Sequence, residues 1–349
     1  MWIYLLLYFS LAASALLART KRAVTTSLWF WGTVLALFAG TRDAVGCDYI
    51  GYKLRFDNLY DHETWQSILT HAEPGFHALN FAVIQLGGSY HTLIFIVSVF
   101  YVFCLIQFSK IHDRPLDVVA LMFPIMFVQL GMSGMRQAMA VGFLMLAMIC
   151  FVRKRVIWTA LWILCGSLFH ASAIIFLPLA VLAKREFSMV RMIGALVVLG
   201  PISGYLLGDR LELYQARYIY QEFGENSSAG AWYRYAIAVI PFIAFEMRKQ
   251  AIKHIYPQIF SLLRVFSLIA FTMPIAGLVS SVALHRLGFY VLPVSILALV
   301  SVGRVGFTDS SATASRHLAF FAYGIYLFVW FSYSRHAAVG YIPYRTWLF

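Results

Sequence analysis

Charged residues are scarce in this chain. Of its 349 residues only 12% are Asp, Glu, Lys or Arg, whereas 61% are hydrophobic and 17% are aromatic. Soluble domains carry roughly 25% charged residues, so a water-soluble fold of this length could not hide so much apolar surface. Several apolar runs approach the ~20 residues that cross a bilayer. The composition therefore argues against a soluble domain and predicts an integral membrane protein.

Cysteine and histidine motifs of metal sites are also missing. The four cysteines have no CxxC spacing, and most of them lie inside apolar runs, where a free thiol behaves as a small hydrophobe. The ten histidines are dispersed, with no HxxxH or HExxH pair. We expect no disulfide framework, no bound metal and no cofactor.

The apolar runs predict an all-α fold, a polytopic transmembrane helical bundle of about 10–13 helices that includes short or re-entrant segments. They lie near Trp2–Leu17, Leu28–Ala39, Leu93–Phe108, Val118–Leu130, Ala138–Val152, Val156–Leu168, Ala171–Ala183, Met192–Leu207, Tyr235–Phe245, Ile259–Val282, Leu287–Val302 and His317–Phe331. Phe76–Leu86 is too short to span as a helix and is expected to be interfacial or re-entrant. Residues 1–349 are predicted to form a single integral membrane domain.

The basic excess follows the predicted topology. The formal net charge is +12, and most of the lysines and arginines fall in one set of alternate connections, which the positive-inside rule places in the cytoplasm. Nucleic acid is therefore not needed as a partner. The polar loops near 41–90 and 208–234 then face outward, whereas the cytoplasmic connections are short and contain no phosphate-binding glycine loop and no DxD pair.

Arg136 and Gln137 follow a glycine-containing turn between two apolar runs. Two glycines permit a tight hairpin, which would place both side chains near the start of the next helix. A guanidinium there favours anion binding, because the helix N-terminus also attracts negative charge. The alternative is an arginine that reaches the membrane interface with no ligand.

His170 lies midway along an apolar stretch bounded by Arg155 and Lys184. That stretch is too long for one comfortable span and short for two, so we expect a break at His170. Histidine suits proton transfer near neutral pH. A structural histidine bonded to a neighbouring helix is the alternative.

Arg286 lies between two long apolar runs, and Tyr290 is four residues later on the same helical face. Arg136 and Arg286 at comparable depth suggest a diphosphate clamp, since a guanidinium matches phosphate oxygens and stays protonated.

The first polar loop combines aromatic and acidic residues. Asp48, Tyr49 and Tyr52 suit a sugar-binding surface, but an interfacial tyrosine belt explains them equally well. Glu73, in a Glu-Pro-Gly-Phe turn, is a candidate general base.

Several motifs in chain order resemble the EpsG family, which groups with Wzy-type O-antigen and exopolysaccharide polymerases. They are Arg42 with Gly46–Tyr52, Glu73–Phe76, Met135–Ala140, Phe169–Ala173, Arg286 with Tyr290, and Ile342–Tyr344. Cys47 stands where a small polar residue such as threonine is expected.

The resemblance implies a multi-pass polymerase of the bacterial inner membrane with its active face in the periplasm. Such an enzyme joins oligosaccharide repeat units carried on undecaprenyl diphosphate, uses no nucleotide sugar, and works among membrane lipids with a possible chain-length regulator as partner. The implied base is His170, Asp48 or Glu73. The expected substrate-binding residues are Arg42, Tyr49, Tyr52, Arg136, Gln137, Arg286, Tyr290 and Tyr344.

Three other functions are alternatives to a polymerase. A flippase of the same lipid-linked glycan would place charges along a path that reaches both faces, whereas the polar residues here lie toward the outer face. A membrane acyltransferase would need a histidine near a cytosolic donor. An O-antigen ligase usually has one very long outer loop, and the outer loops here are moderate.

Overall fold

The computed structural model describes residues 1–58, 63–71, 73–184, 188, 190–194, 197, 231–279, 281–305 and 309–348. The predicted loop near 208–234 and the apolar run Met192–Leu207 fall largely outside these residues. The described chain is helical and has no β-strand; an isolated bridge pairs Arg42 with Thr346.

The α-helices begin and end as follows. They are α1 Trp2–Leu17, α2 Lys21–Gly40, α3 Tyr49–Asn58, α4 Trp65–Thr70, α5 Pro74–Gln85, α6 Tyr90–Ser109, α7 Pro115–Met122, α8 Met135–Val152, α9 Val156–Phe169, α10 Pro178–Leu182, α11 Ala231–Ile255, α12 Pro257–Val279, α13 Ser281–Arg304, α14 Asp309–Tyr333 and α15 Arg335–Tyr341. A π-helix, Phe123–Gly131, continues α7, and a 3₁₀-helix, Ala171–Phe176, precedes α10.

Five helices in the described chain are long and apolar enough to cross a membrane. They contain the segments Lys21–Gly40, Tyr90–Ser109, Met135–Val152, Pro257–Ile275 and Leu284–Arg304, and further apolar helices of 10–17 residues accompany them. The predicted all-α, multi-pass membrane fold is confirmed. The topology predicted from the charges, with the polar loops facing outward, stays a prediction.

Local sequence explains several of the helix starts. The Thr20 hydroxyl accepts a hydrogen bond from the backbone N–H of Ala23 at the start of α2, and Ser89 forms a reciprocal capping box with Thr92 at the start of α6. Proline opens α5 at Pro74, where its missing N–H costs no helical hydrogen bond. Most of the weak apolar run Phe76–Leu86 lies in this short helix, and its interfacial or re-entrant placement stays a prediction.

The described residues divide into two compact units. The first contains Met1–Phe143, Cys165–His170 and His317–Phe349, and the second contains Leu144–Leu164 and Ala171–Arg316. The prediction of one membrane domain stays a prediction.

Phenol groups hold the core of the first unit around the π-helix. Tyr101 donates to the carbonyl of Met126 at 2.8 Å, Tyr341 donates to that of Val128 at 3.1 Å, and Gln129 bonds with Tyr326. Polar groups away from water need hydrogen-bond partners. The carbonyls of Met126 and Val128, both in the π-helix, accept such bonds from tyrosine hydroxyls.

In the first unit, the chain after α15 lies against the start of the first polar loop. The N–H of Asp43 donates to the carbonyl of Arg345 at 3.0 Å, and that of Trp347 donates to Thr41 at 3.1 Å. These backbone bonds bring two segments together that are about 300 residues apart in sequence.

In the second unit, α11 and α12 both pack against α13. Ser295 of α13 donates to the carbonyl of Ala238 in α11 at 2.6 Å. Near the end of α11, Glu246 accepts hydrogen bonds from Ser267 and Lys249 and pairs with Arg264.

Candidate functional site

His170 stands at a break in the helical chain. The helix α9 ends at Phe169 and a 3₁₀-helix begins at Ala171, so the predicted break is confirmed. The imidazole is buried, at 4% exposure, and the backbone N–H of His170 still bonds to Gly166 at 3.0 Å. A change of backbone geometry inside an apolar segment gives the histidine an orientation that a continuous helix would not give.

Glu73 reaches His170 because Gly75 lets the start of α5 approach the end of α9. A Cβ added at Gly75 would lie 2.9 Å from the Cβ of Leu168 and 3.1 Å from its carbonyl oxygen. Distances this short force one of the two segments to shift. The glycine of the Glu-Pro-Gly-Phe turn is therefore required by close packing.

The Glu73 carboxylate joins two of the predicted residues. Its Oε1 lies 2.7 Å from Nδ1 of His170, and its Oε2 lies 2.5 Å from Nη1 of Arg136. An ionised carboxylate only accepts hydrogen bonds, so Nδ1 of His170 carries the proton. In neutral imidazole Nε2 is then a bare acceptor, and no residue of the described chain hydrogen-bonds it.

The charge state of Glu73 follows from its neighbours. Burial alone would raise the pKa of this carboxyl, but the hydrogen bond and charge of His170, together with the Arg136 guanidinium, outweigh burial and lower the pKa to about 2. Glu73 is thus ionised at neutral pH and is a weak base. Among the three predicted bases, the geometry favours His170 as the proton acceptor and Glu73 as the group that orients it.

Arg136 is in the first turn of α8, as predicted from the turn before it. Its Nε lies 3.5 Å from the Tyr52 hydroxyl, and the guanidinium carbon lies 5.8 Å from the centre of the Tyr52 ring. The Nη2 donors have no hydrogen-bond partner in the described chain, and about a quarter of the side chain (26%) is exposed. Arg136 is therefore fixed on one side and open for an anion on the other.

A buried apolar cluster supports these side chains. It contains Tyr49, Tyr52, Phe56, Phe76, Val83, Tyr90, Leu93, Ile94, Val97, Met135 and Met139. The members on α3 follow a helical stripe, and the other members come from α5, α6 and α8. Site residues placed on packed helices keep their geometry better than residues on free loops.

The remaining predicted residues of the first unit lie in different settings. Asp48 is exposed, and its N–H donates to Ser133. Arg42 is buried and donates to two backbone carbonyls and to Ser98, while Tyr344 stacks on Phe38. These contacts of Arg42 and Tyr344 are structural ones; their roles in substrate binding, and that of the half-buried Gln137, stay predictions.

Arg286 and Tyr290 belong to the second unit, on α13. Tyr290 is fully buried, with its hydroxyl 2.9 Å from Oγ of Ser172 and its ring beside Phe176. Arg286 is half-buried in the second turn of the helix. A clamp of Arg136 and Arg286 would join residues of two units, and it stays a prediction.

A further polar group in the first polar loop is not evident from the sequence. Oδ1 of Asp43 accepts from the Tyr49 hydroxyl at 2.6 Å and lies 3.1 Å from Nε2 of His91, whose ring is near Trp347. Of these, only Tyr49 was singled out. The residues come from three distant parts of the chain, so no local pattern points to their contact.

A protein-family model described as the EpsG family matches residues 26–346. No curated protein and no solved structure matches the chain. The family match covers every residue of the Arg136–Glu73–His170 site.

Proposed function

The chain belongs to the EpsG family, and we propose that it is a polysaccharide polymerase which joins oligosaccharide repeat units carried on undecaprenyl diphosphate. The family supports the polymerase role, and the apolar helices support a multi-pass membrane location. The lipid-linked donor, the bacterial inner membrane and the periplasmic active face belong to the proposal, and the unequal distribution of basic residues supports that orientation.

One observation carries the proposal: a single buried carboxylate bonds both a histidine and an arginine. Glycosyl transfer from a diphosphate requires a group that takes the proton of the acceptor hydroxyl. It also requires a positive group that stabilises the charge growing on the leaving diphosphate. His170 and Arg136 are suited to these two tasks, and Glu73 holds both side chains in place.

The reaction follows from these roles. Nε2 of His170 takes the proton of the acceptor hydroxyl while the acceptor oxygen attacks the anomeric carbon of the donor. The bond between that carbon and the diphosphate oxygen breaks, and its electron pair leaves with undecaprenyl diphosphate. Attack opposite the leaving group inverts the configuration. Glu73 stabilises the imidazolium that forms, and Arg136 stabilises the leaving diphosphate, with Arg286 as the predicted second arginine.

An oriented base also separates this function from transport of the same glycan. A flippase moves its substrate without proton transfer to a sugar hydroxyl, so it has no need for a histidine whose tautomer is fixed by a carboxylate. The described site therefore fits bond formation better than translocation.

The test uses a strain that lacks the gene, complemented with Arg136→Gln or His170→Gln. We expect surface glycan with single repeat units only, on a polysaccharide gel, while wild type restores the long-chain ladder. Membrane amounts of each variant are measured by immunoblot, and Lys110→Ala, on the predicted cytoplasmic side, serves as the control.

Two results would contradict the proposal. Normal ladders from both variants would remove Arg136 and His170 from the reaction. Complete loss of the glycan from the cell surface in the deletion strain would indicate a flippase, since a missing polymerase still allows single units to reach the surface.

A further inference from the structure

A second polar cluster lies in the same unit as the Glu73 site. We call it the Asp43 cluster, and it consists of Asp43, Tyr49, His91 and Trp347. Tyr49 and His91 both bond Oδ1 of Asp43, and the ring centres of His91 and Trp347 are 5.7 Å apart at an angle of 43°. The cluster thus combines a carboxylate, an imidazole and an indole.

The functional groups of this cluster are accessible. The side chains of His91 and Asp43 are 32% and 44% exposed, and Trp347 is 45% exposed. Nδ1 of His91 has no hydrogen-bond partner in the described chain. The bonds to Tyr49 account for the position of Asp43, but they do not account for an exposed indole beside a free imidazole nitrogen.

The backbone around the cluster holds it in one arrangement. The hydrogen bonds Asp43 to Arg345 and Trp347 to Thr41 fix the C-terminal segment on the loop. Ala44 adopts a φ of 53°, a left-handed conformation that costs energy for a residue with a Cβ. Tyr90, next to His91, donates to the carbonyl of Tyr49 and so ties α6 to α3.

The chemistry of the cluster fits a sugar ring. The C–H face of a pyranose packs on an indole, and its hydroxyls donate to a carboxylate or bond with an imidazole. Hydrogen bonds from Tyr49 and His91 hold the pKa of Asp43 below its usual value, so the carboxylate is ionised. An ionised carboxylate repels phosphate, which disfavours the lipid diphosphate as the ligand here.

We propose that the Asp43 cluster is a subsite for an uncharged pyranose residue of the glycan that the protein elongates. The proposal rests on the proposed function. The helix α3 links the two sites, because Tyr49 belongs to the cluster and Tyr52 contacts Arg136. Three residues of helix correspond to about 4.5 Å along the axis. In this proposal the reacting sugar lies beside Arg136, and a neighbouring sugar of the same glycan lies at the Asp43 cluster.

The test measures binding of the free repeat-unit oligosaccharide, released from the host's own polysaccharide without lipid or phosphate. Purified protein in lipid nanodiscs is titrated and followed by saturation-transfer NMR. Trp347→Ala is expected to bind about fivefold more weakly, as the loss of one aromatic stacking contact predicts. Asp43→Asn and His91→Gln are expected to weaken binding severalfold, whereas Trp347→Phe stays within about twofold of wild type.

Trp2→Ala is the matched control, because Trp2 is exposed on α1 and makes no aromatic contact in the described chain. It should bind as wild type does. If Trp347→Ala does not fold, Trp347→Leu replaces it, and weaker binding than Trp347→Phe supports the subsite. Wild-type affinity in the Asp43, His91 and Trp347 variants overturns it.

The two proposals can fail separately. If Glu73→Gln stops polymer formation while the Trp347 and His91 variants bind the oligosaccharide normally, only the subsite is wrong. If Glu73→Gln makes normal long-chain polymer, the proposed reaction is wrong whatever the oligosaccharide titration gives.

Discussion

Replacing Glu73 by glutamine is the sharpest test of the proposed site. Glutamate and glutamine side chains have the same shape, so packing is preserved. The change removes only a negative charge and replaces one acceptor oxygen by a donor NH₂. If that NH₂ faces His170, Nδ1 becomes the acceptor and Nε2 carries the proton. His170 then holds a proton at the nitrogen that must accept one.

The expected loss of activity can be bounded. Positioned acid–base groups contribute about 10²–10⁴-fold to rate, and a carboxylate-to-amide change beside a catalytic histidine costs about 10⁴-fold in the serine-protease triad. We expect Glu73→Gln to lower the elongation rate by about 10²–10⁴-fold. The affinity for the lipid-linked repeat unit should change much less, because Arg136 remains.

Glu73→Gln is expected to change the stability of the protein much less than its elongation rate, and the two effects can be measured separately. A carboxyl pKa of about 2, against an ordinary value of 4.5, corresponds to an upper figure of about 3 kcal/mol at neutral pH. Hydrogen bonds of the glutamine amide recover part of this energy, so the variant should still insert and remain monodisperse in detergent. A rate loss without a loss of protein is thus the expected pattern.

The assay is chain elongation by purified protein in nanodiscs, with the lipid-linked repeat unit as substrate and polymer length read on a gel. Glu63→Gln is the matched control, because Glu63 also pairs with a histidine, His71 at 3.1 Å, in the same loop. Elongation by Glu73→Gln within threefold of wild type would refute the reasoning. An equal loss in Glu63→Gln would show that the effect is not specific to the buried pair.

Two further predictions follow from the same geometry. Gly75→Ala should separate α5 from Leu168 and lower the elongation rate about tenfold in the same assay. Gly51→Ala is the control, because a Cβ added at Gly51 meets nothing within 4 Å, and this variant should elongate normally. Because the pKa of Glu73 is depressed from 4.5 to about 2, its contribution to stability is complete above about pH 4.5 and is lost as the pH falls toward 2. Thermal unfolding of wild type should show this decline and that of Glu73→Gln should lack it; parallel curves would contradict the assignment.

The sequence predicted those features that depend on neighbours along the chain. The all-α membrane fold, the start of α8 beside Arg136 and the break at His170 all follow from apolar run lengths, glycines and a polar residue at membrane depth. Each of these signals is local, so a single sequence contains it.

Contacts between distant residues could not be predicted in the same way. Glu73 and His170 are 97 residues apart, and nothing in either segment specifies the other as its partner. From the sequence alone, Glu73 is one of three candidate bases. The role changes only when the fold places Arg136 and His170 against one carboxylate. The same limitation hid Asp43, His91 and Trp347.

The balance of charge explains why one glutamate serves two partners. Arg136 is positive and Glu73 is negative, so the two charges cancel and the ion pair suits an apolar setting. In the proposed reaction His170 gains a proton at the step in which the diphosphate gains negative charge. The net charge of the three groups becomes positive as the leaving group becomes more negative, so attraction is greatest in the transition state and not in the substrate complex. Without the carboxylate, the arginine would already bind the diphosphate strongly in the substrate complex. The additional stabilisation of the transition state would then be smaller.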